Sequence, residues 1–271
     1  MKQQLRSLYG HYFGTADDFR TMSQNGHILG NYGNQMPIPD LTNFVVFDDF
    51  DGAALLGTWG VLKGTDGAAA NFAINGGVSG TVQGTTGATT TTMAGSGIQI
   101  SAHLNLKAQG AGAAASTNNL ELNTRLQLSA ITNLVIFVGL TNQVAALQMP
   151  IQGSGAGNAF TGNANDAVGF VFDTTMTNPA WWMIGNKAGT LAAGQSSGVS
   201  PTAAAYDQLA ISVDQLGNAN FFRNGAQVGV TMANAVTPTV ALSPVIAAFN
   251  RTAAASRNVL ADYIMASCNR I

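Results

Sequence analysis

Residues 120–128 read Leu-Glu-Leu-Asn-Thr-Arg-Leu-Gln-Leu. Leu120, Leu122, Leu126 and Leu128 fall on one side of an extended chain, and Glu121, Asn123, Arg125 and Gln127 on the other. Successive side chains of a strand point to opposite faces, so this period of two predicts a strand with one buried face. Working outward, residues 134–140 (LVIFVGL) are apolar on both faces and predict a central strand. Residues 167–173 (AVGFVFD) and 180–184 (AWWMI) follow, and 44–50 (FVVFDDF) and 58–63 precede. Then comes a meander: 208–214, a turn at Leu216-Gly217-Asn218, 219–223, a turn at Asn224-Gly225, and 226–230. Asn-Gly between two strand-like runs signals a type I′ hairpin, because both central residues need positive φ. Residues 240–249 and 259–267 complete about a dozen short strands, with no helical pattern longer than about ten residues. That pattern predicts an antiparallel β-sandwich or barrel.

The connecting segments are rich in Gly and small polar residues: 84–97, 110–116, 153–157 and 188–205 are read as loops. No repeat of fixed period runs through the chain, which argues against a solenoid or propeller. Residues 1–43 differ from the rest. They hold His11, His27 and the aromatics Tyr9, Tyr12, Phe13, Phe19 and Tyr32, and are broken by Asn25-Gly26, Gly30 and Gly33-Asn34. Met1 to Tyr9 is expected to form one or two helical turns with Leu5 and Leu8 on one side. The organisation expected is an N-terminal arm over 1–43 and a sandwich over 44–271.

The chain has 271 residues, of which only 9% are charged, with a formal net charge of −2. Soluble domains average about 25% charged residues. The balance argues against a non-specific nucleic-acid binder, which needs a basic patch to displace counterions, and against a polybasic membrane-surface protein. Cys268 is the single cysteine, so no intrachain disulfide or cysteine zinc cluster is expected. Met1 to Phe13 lacks the apolar run of a secretory signal, and no stretch is apolar enough for a membrane helix.

Chemistry-bearing residues are sparse. Gly194-Gln195-Ser196-Ser197-Gly198 matches G-x-S-x-G, but no helical pattern follows and His11, His27 and His103 all precede Ser196. A nucleophile elbow needs the helix and a later His, so the segment is read as a flexible loop. Gly153-Ser154-Gly155-Ala156-Gly157 and Gly110-Ala111-Gly112 likewise precede no helix, and no P-loop is present. Asp48, Asp49 and Asp51 are weak Ca²⁺ candidates, with Asp166 and Asp173 available to complete such a site. The bland reading is that an Asp at a strand end caps a turn. Glu121 is the single glutamate, which disfavours a glycosidase carboxylate pair. Trp181 and Trp182 are a candidate glycan platform. Neighbours on a strand face opposite ways, so one ring belongs to the core and the other to the surface or beneath a cover. Catalytic residues and cofactors are expected to be none.

The meander ISVD-QLGN-ANFFR-NG-AQVGV, the opening Phe47-Asp48-Asp49-Phe50 with Trp59, and a last strand able to pair with the first resemble the concanavalin-like, laminin-G-like jelly-roll family. The resemblance covers about residues 44–271. In its Ala/Gly/Thr/Asn-rich loops, N-terminal arm, single Cys and closing Asp262-Tyr263-Ile264 strand, the chain looks like the tailed-bacteriophage structural proteins that use this fold. That resemblance implies a non-enzymatic virion protein made in the host cytoplasm, a capsid decoration (cement) protein on the capsid surface. Its implied partners are the major capsid protein and copies of itself, a trimer being the expected form. Leu5, Leu8, Tyr9, Tyr12 and Phe13 would then be docking residues. The alternative is a carbohydrate-binding module of a tail or head fibre used in host attachment.

Overall fold

The structure, a computed structural model, describes residues 5–6, 12–13, 43–52, 54–55, 59–63, 71–75, 80–87, 95–100, 120–143, 149–155, 157–251 and 256–269. Every regular element among them is a strand. The order is β1 (Leu5–Arg6), β2 (Tyr12–Phe13), β3 (Asn43–Asp48), β4 (Trp59–Lys63), β5 (Asn71–Ile74), β6 (Val82–Thr85), β7 (Gly95–Ile100), β8 (Leu120–Leu128), β9 (Leu134–Thr141) and β10 (Ile151–Gly153). It continues with β11 (Phe160–Gly162), β12 (Ala167–Asp173), β13 (Trp182–Lys187), β14 (Thr190–Leu191), β15 (Gln195–Ser196), β16 (Tyr206–Val213), β17 (Ala219–Arg223), β18 (Ala226–Met232), β19 (Ser243–Asn250) and β20 (Asn258–Asn269).

Two antiparallel sheets are stacked. Sheet I has the order β18-β17-β16-β8-β20-β6-β5, and β3 also pairs with β20. The long β20 lies against β8 along one edge; along the other, β6 takes its first residues and β3 its last, Ile264↔Asp48 to Asn269↔Asn43. Sheet II has the order β14-β13-β12-β9-β19-β7-β4, with β15 also on β13. The last strand therefore pairs with the first strand of the sandwich, as the jelly-roll resemblance implies.

The core lies between the sheets. Leu120, Leu122, Leu126 and Leu128 from β8 share one cluster with Ile136, Val138, Phe170 and Phe172 from sheet II and with Trp181, which immediately precedes β13. Burial along β8 alternates residue by residue, as its sequence predicts. β9, β12 and β19 are buried throughout. Their outer side chains, among them Val135, Phe137, Val171 and Ala247, form a second apolar cluster with Ile151 and Phe160 of the β10–β11 hairpin. That hairpin explains why residues 134–140 are apolar on both faces. Gly139 and Gly169 face each other in the register, and the Phe137 ring lies where a Cβ on either would stand.

The Asn224-Gly225 turn joins β17 to β18 with φ of 51° and 81°. Gly225→Ala is expected to lower stability by about 1 kcal/mol, because a Cβ disfavours the left-handed region. A shift in the urea unfolding midpoint measures it.

Several expectations are corrected. Leu5 and Arg6 are extended rather than helical, paired as Leu5↔Phe13 and Arg6↔Tyr12; a partner strand competes successfully with a single helical turn, whose nucleation is costly. Leu8 and Tyr9 lie outside the described residues. The segments read as loops contain strand: β6 ends and β7 begins inside 84–97, β10 reaches Gly153, and β14 and β15 lie inside 188–205. Cross-strand hydrogen bonds supply there what the weak propensity of Gly and small residues does not. The segment 110–116 lies outside the described residues.

Candidate functional site

In sheet II the outer side chains of β9, β12, β13 and β19 cluster with the β10–β11 hairpin, whereas the outer face of sheet I carries polar and aromatic side chains. Register fixes which residues meet there. One row crosses the strands as Gln227, Phe222, Ala210, Asn123, Met265 and Phe47. The next row brings Gln208, Arg125 and Tyr263 side by side. A register shift between Ala261 and Tyr263 inserts Asp262 as an extra residue in β20. Such a bulge re-aims side chains, and here both Asp262 and Tyr263 reach partners on the outer face.

The contacts form one network. The Tyr263 hydroxyl donates to Asn123 Oδ1 at 3.0 Å and accepts from Gln208 Nε2 at 3.0 Å. Gln208 Nε2 also approaches Asn123 Oδ1 at 3.3 Å. Arg125 pairs with Asp262 at 2.6 Å and lies over the Tyr206 ring, 4.2 Å from its centroid. Phe47 is 53% exposed, and its ring centre is 6.2 Å from that of Tyr263. Burial pushes the Tyr263 phenol above its ordinary value and Asp262 adds to this, while Gln208 and Arg125 pull the other way. The phenol therefore keeps its proton at neutral pH and serves as the donor to Asn123.

The residues singled out in the sequence lie elsewhere. Trp181 is fully buried between the sheets, its Nε1 donating to Asp207 Oδ2 at 2.9 Å. Trp182 faces the other way, is 9% exposed, and packs edge-on against Phe160 of β11. The Trp181/Trp182 glycan platform is thus corrected: one indole is core and the seated hairpin covers the other. Asp48 is buried and its carboxylate is taken by Phe50 N at 2.8 Å and Trp59 Nε1 at 2.6 Å. It is a turn cap and an indole partner, while Asp49 and Asp51 stand exposed beside it. Asp166 accepts from Thr237 N, and Asp173 pairs with Arg251. Among the described residues no group of three or more His, Cys, Asp or Glu side chains could hold a metal ion. Ser196 lies in β15, paired with Trp182, and its Oγ accepts from Gly198 N; it is part of a strand rather than of a flexible loop. Tyr12, Phe13 and Leu5 are described as β1 and β2 backbone, whereas His11, His27 and His103 lie outside the described residues.

Although Asp49 is exposed, partial desolvation raises its carboxyl above the ordinary value, and the Asp51 and Asp48 charges add to this against opposing backbone hydrogen bonds. A carboxyl raised in the folded state contributes most below its unfolded pKa, and that contribution is lost as pH rises through the folded value. Asp49→Asn is therefore expected to be slightly more stable than the parent at neutral pH and equal to it at low pH. Thermal midpoints measured across that range test this.

No family model and no curated protein sequence matches the chain. Solved structures do match in fold. A laminarinase from Rhodothermus marinus superposes with a TM-score of 0.55 at 10% identity, over 83% of this chain and 97% of its own. A β-1,3-glucanase from Mycobacterium marinum gives 0.52 at 12% identity, over 82% and 97%. Peanut lectin gives 0.50 at 10% identity, over 83% and 97%. The chain has the concanavalin-like sandwich fold that glycoside hydrolases and lectins share.

Proposed function

We propose that the chain is a non-enzymatic structural protein of a tailed-phage virion, a homo-oligomer that decorates the outside of the assembled capsid. One fold hosts both hydrolases and lectins, so the site and not the fold must carry the argument. The observation that supports a non-enzymatic role is how most of the described carboxylates are used, Asp49 and Asp51 being the exposed pair beside β3. Glycoside hydrolysis needs two carboxyl groups roughly 5–9.5 Å apart and open to the sugar. Asp48, Asp166, Asp173 and Asp207 are buried and accept hydrogen bonds from the protein itself. Asp214 caps the turn that follows β16, accepting from Leu216 N and Asn218 N. On the open face of sheet I, Asp262 is paired with Arg125. Glu121, four residues before Arg125 on β8, stands about 13 Å along the strand from that pair.

The virion setting is supported by the scarcity of charge and by the aromatic arm preceding β3. Interface cores are depleted in Lys, Glu and Asp and enriched in aromatic residues, and a protein that binds only the assembled state stabilises it by mass action. The test is to mix the purified chain with capsids of the phage that encodes it and to compare it with a chain lacking residues 1–42. The full chain is expected to decorate the particles and the truncated chain to be lost from them. Equal loading would remove the arm, with Leu5, Leu8, Tyr9, Tyr12 and Phe13, from the docking role.

A second reading is a carbohydrate-binding module of a fibre used in host attachment. The open polar and aromatic face of sheet I favours it, in place of Trp181 and Trp182. Binding to a glycan array without release of new reducing ends is its expected signature.

A further inference from the structure

We propose that Asn123, Gln208, Tyr263 and Phe47, on the outer face of sheet I, form a binding site for a neutral oligosaccharide lying across the strands. The inference rests on the carbohydrate reading above and assigns it a place. The Tyr263 hydroxyl sits between the two amides, donating to Asn123 Oδ1 and accepting from Gln208 Nε2. This fixes how both amides point. The network uses Asn123 Oδ1 and Gln208 Nε2, so Asn123 Nδ2 and Gln208 Oε1 are the amide atoms it leaves for a ligand. An amide N–H₂ donor and an amide oxygen acceptor side by side match neighbouring ring hydroxyls, each of which both donates and accepts.

The apolar element lies in the same row. Phe47 is an exposed residue beside Tyr263, and Met265 separates it from Asn123 in the register. Two strand spacings, about 10 Å, therefore lie between the exposed ring and the amide pair. A sugar chain presents hydroxyl edges and apolar C–H faces alternately, so one ring stacked on Phe47 places a later one over the amides. Past Asn123 the row continues through the small Ala210 to Phe222, which keeps the path open.

Charge selects the class of ligand. Arg125 and Asp262 neutralise each other, and the other formal charge of this face on β8, β16 and β20 is Glu121. A sulfated, phosphorylated or carboxylated glycan would meet two carboxylates and one engaged cation. A neutral chain meets no such repulsion.

The experiment is an array of neutral and anionic glycans probed with the full chain and with Asn123→Ala, Phe47→Ala and Tyr263→Phe, each checked by its thermal midpoint. The parent is expected to bind neutral glycans. Asn123→Ala and Phe47→Ala should each weaken binding about tenfold, as expected when one good hydrogen bond or stacking surface is lost. Tyr263→Phe, which keeps the ring but frees both amides, should weaken it several-fold. Phe47 is exposed, so its variant keeps the test valid if Asn123→Ala folds poorly. Binding by the parent that survives all three substitutions would place the glycan elsewhere and overturn this site alone. A parent that binds no glycan would overturn the carbohydrate reading with it, and preference for anionic glycans would overturn the assigned ligand class.

Discussion

Trp181→Ala is expected to cost about 3–5 kcal/mol of folding stability, the range for removing a large aromatic side chain from a packed core. The indole is fully buried between the two sheets, against Phe170 and Phe172. It is also polar at one edge. Its N–H binds Asp207, a carboxylate that further accepts from Arg223 Nε at 2.8 Å and pairs with Arg223 Nη2 at 2.7 Å. Truncation therefore opens a cavity and removes one donor from a buried anion, and both effects lower stability. Trp181→Phe keeps most of the volume and loses the N–H, so it should cost about 1–3 kcal/mol. Urea midpoints of the two variants separate packing from hydrogen bonding. A loss under about 1 kcal/mol for Trp181→Ala would contradict the placement of this ring in the core.

Asp173→Ala is expected to cost a similar amount, about 3–5 kcal/mol, for a different reason. Asp173 is fully buried at the end of β12 and forms an ion pair with Arg251. It also accepts from Thr175 N and Thr175 Oγ1. Breaking one side of a buried pair leaves the other charge uncompensated, which is what makes the loss large. Arg251 additionally donates to Gly153 O at 2.7 Å, tying the β10–β11 hairpin to the sandwich. The variant should therefore loosen the cover over Trp182 as well as lower the midpoint, and indole fluorescence reports that loosening. The surface pair Arg125–Asp262 provides the contrast. Its side chains are 46% and 31% exposed, and Arg125→Ala should cost less than about 1 kcal/mol.

The parts of the fold legible in the sequence are those in which strand period and turn chemistry agree. Residues 120–128, 167–173 and 219–223 carry the boundaries of β8, β12 and β17, and Asn224-Gly225 marks its own hairpin. Gly-rich strands hide. In β6 the Phe72 ring lies where a Cβ on Gly84 would stand, so the glycine that suggests a loop is required by packing within the sheet. The hairpin of β10 and β11 is hidden for the same reason, and with it the cover over Trp182.

The candidate site was half visible. Asn123 and Arg125 stand out as the polar side of β8, but their partners depend on register, which no local pattern supplies. Tyr263 is misleading in the sequence. A strict period of two through 259–267 places Val259, Ala261 and Tyr263 on one face, whereas the bulge at Asp262 moves Tyr263 to the other. Val259 and Ala261 stay in the core, and Ile264 and Ala266 take over the inward positions. Phe47 belongs to the strand-like run 44–50, and its exposure follows from the register that pairs it with Met265 on the outer face.

The measurement closest to the central claim is direct loading. Under the decoration proposal, the purified full chain is incubated with capsids of the tailed phage that the proposal takes as its source and examined by sedimentation and negative-stain imaging. The account predicts that the chain travels with the particles and adds regular protrusions to their outer surface. A chain left wholly in the supernatant, with capsids that remain bare, would contradict it.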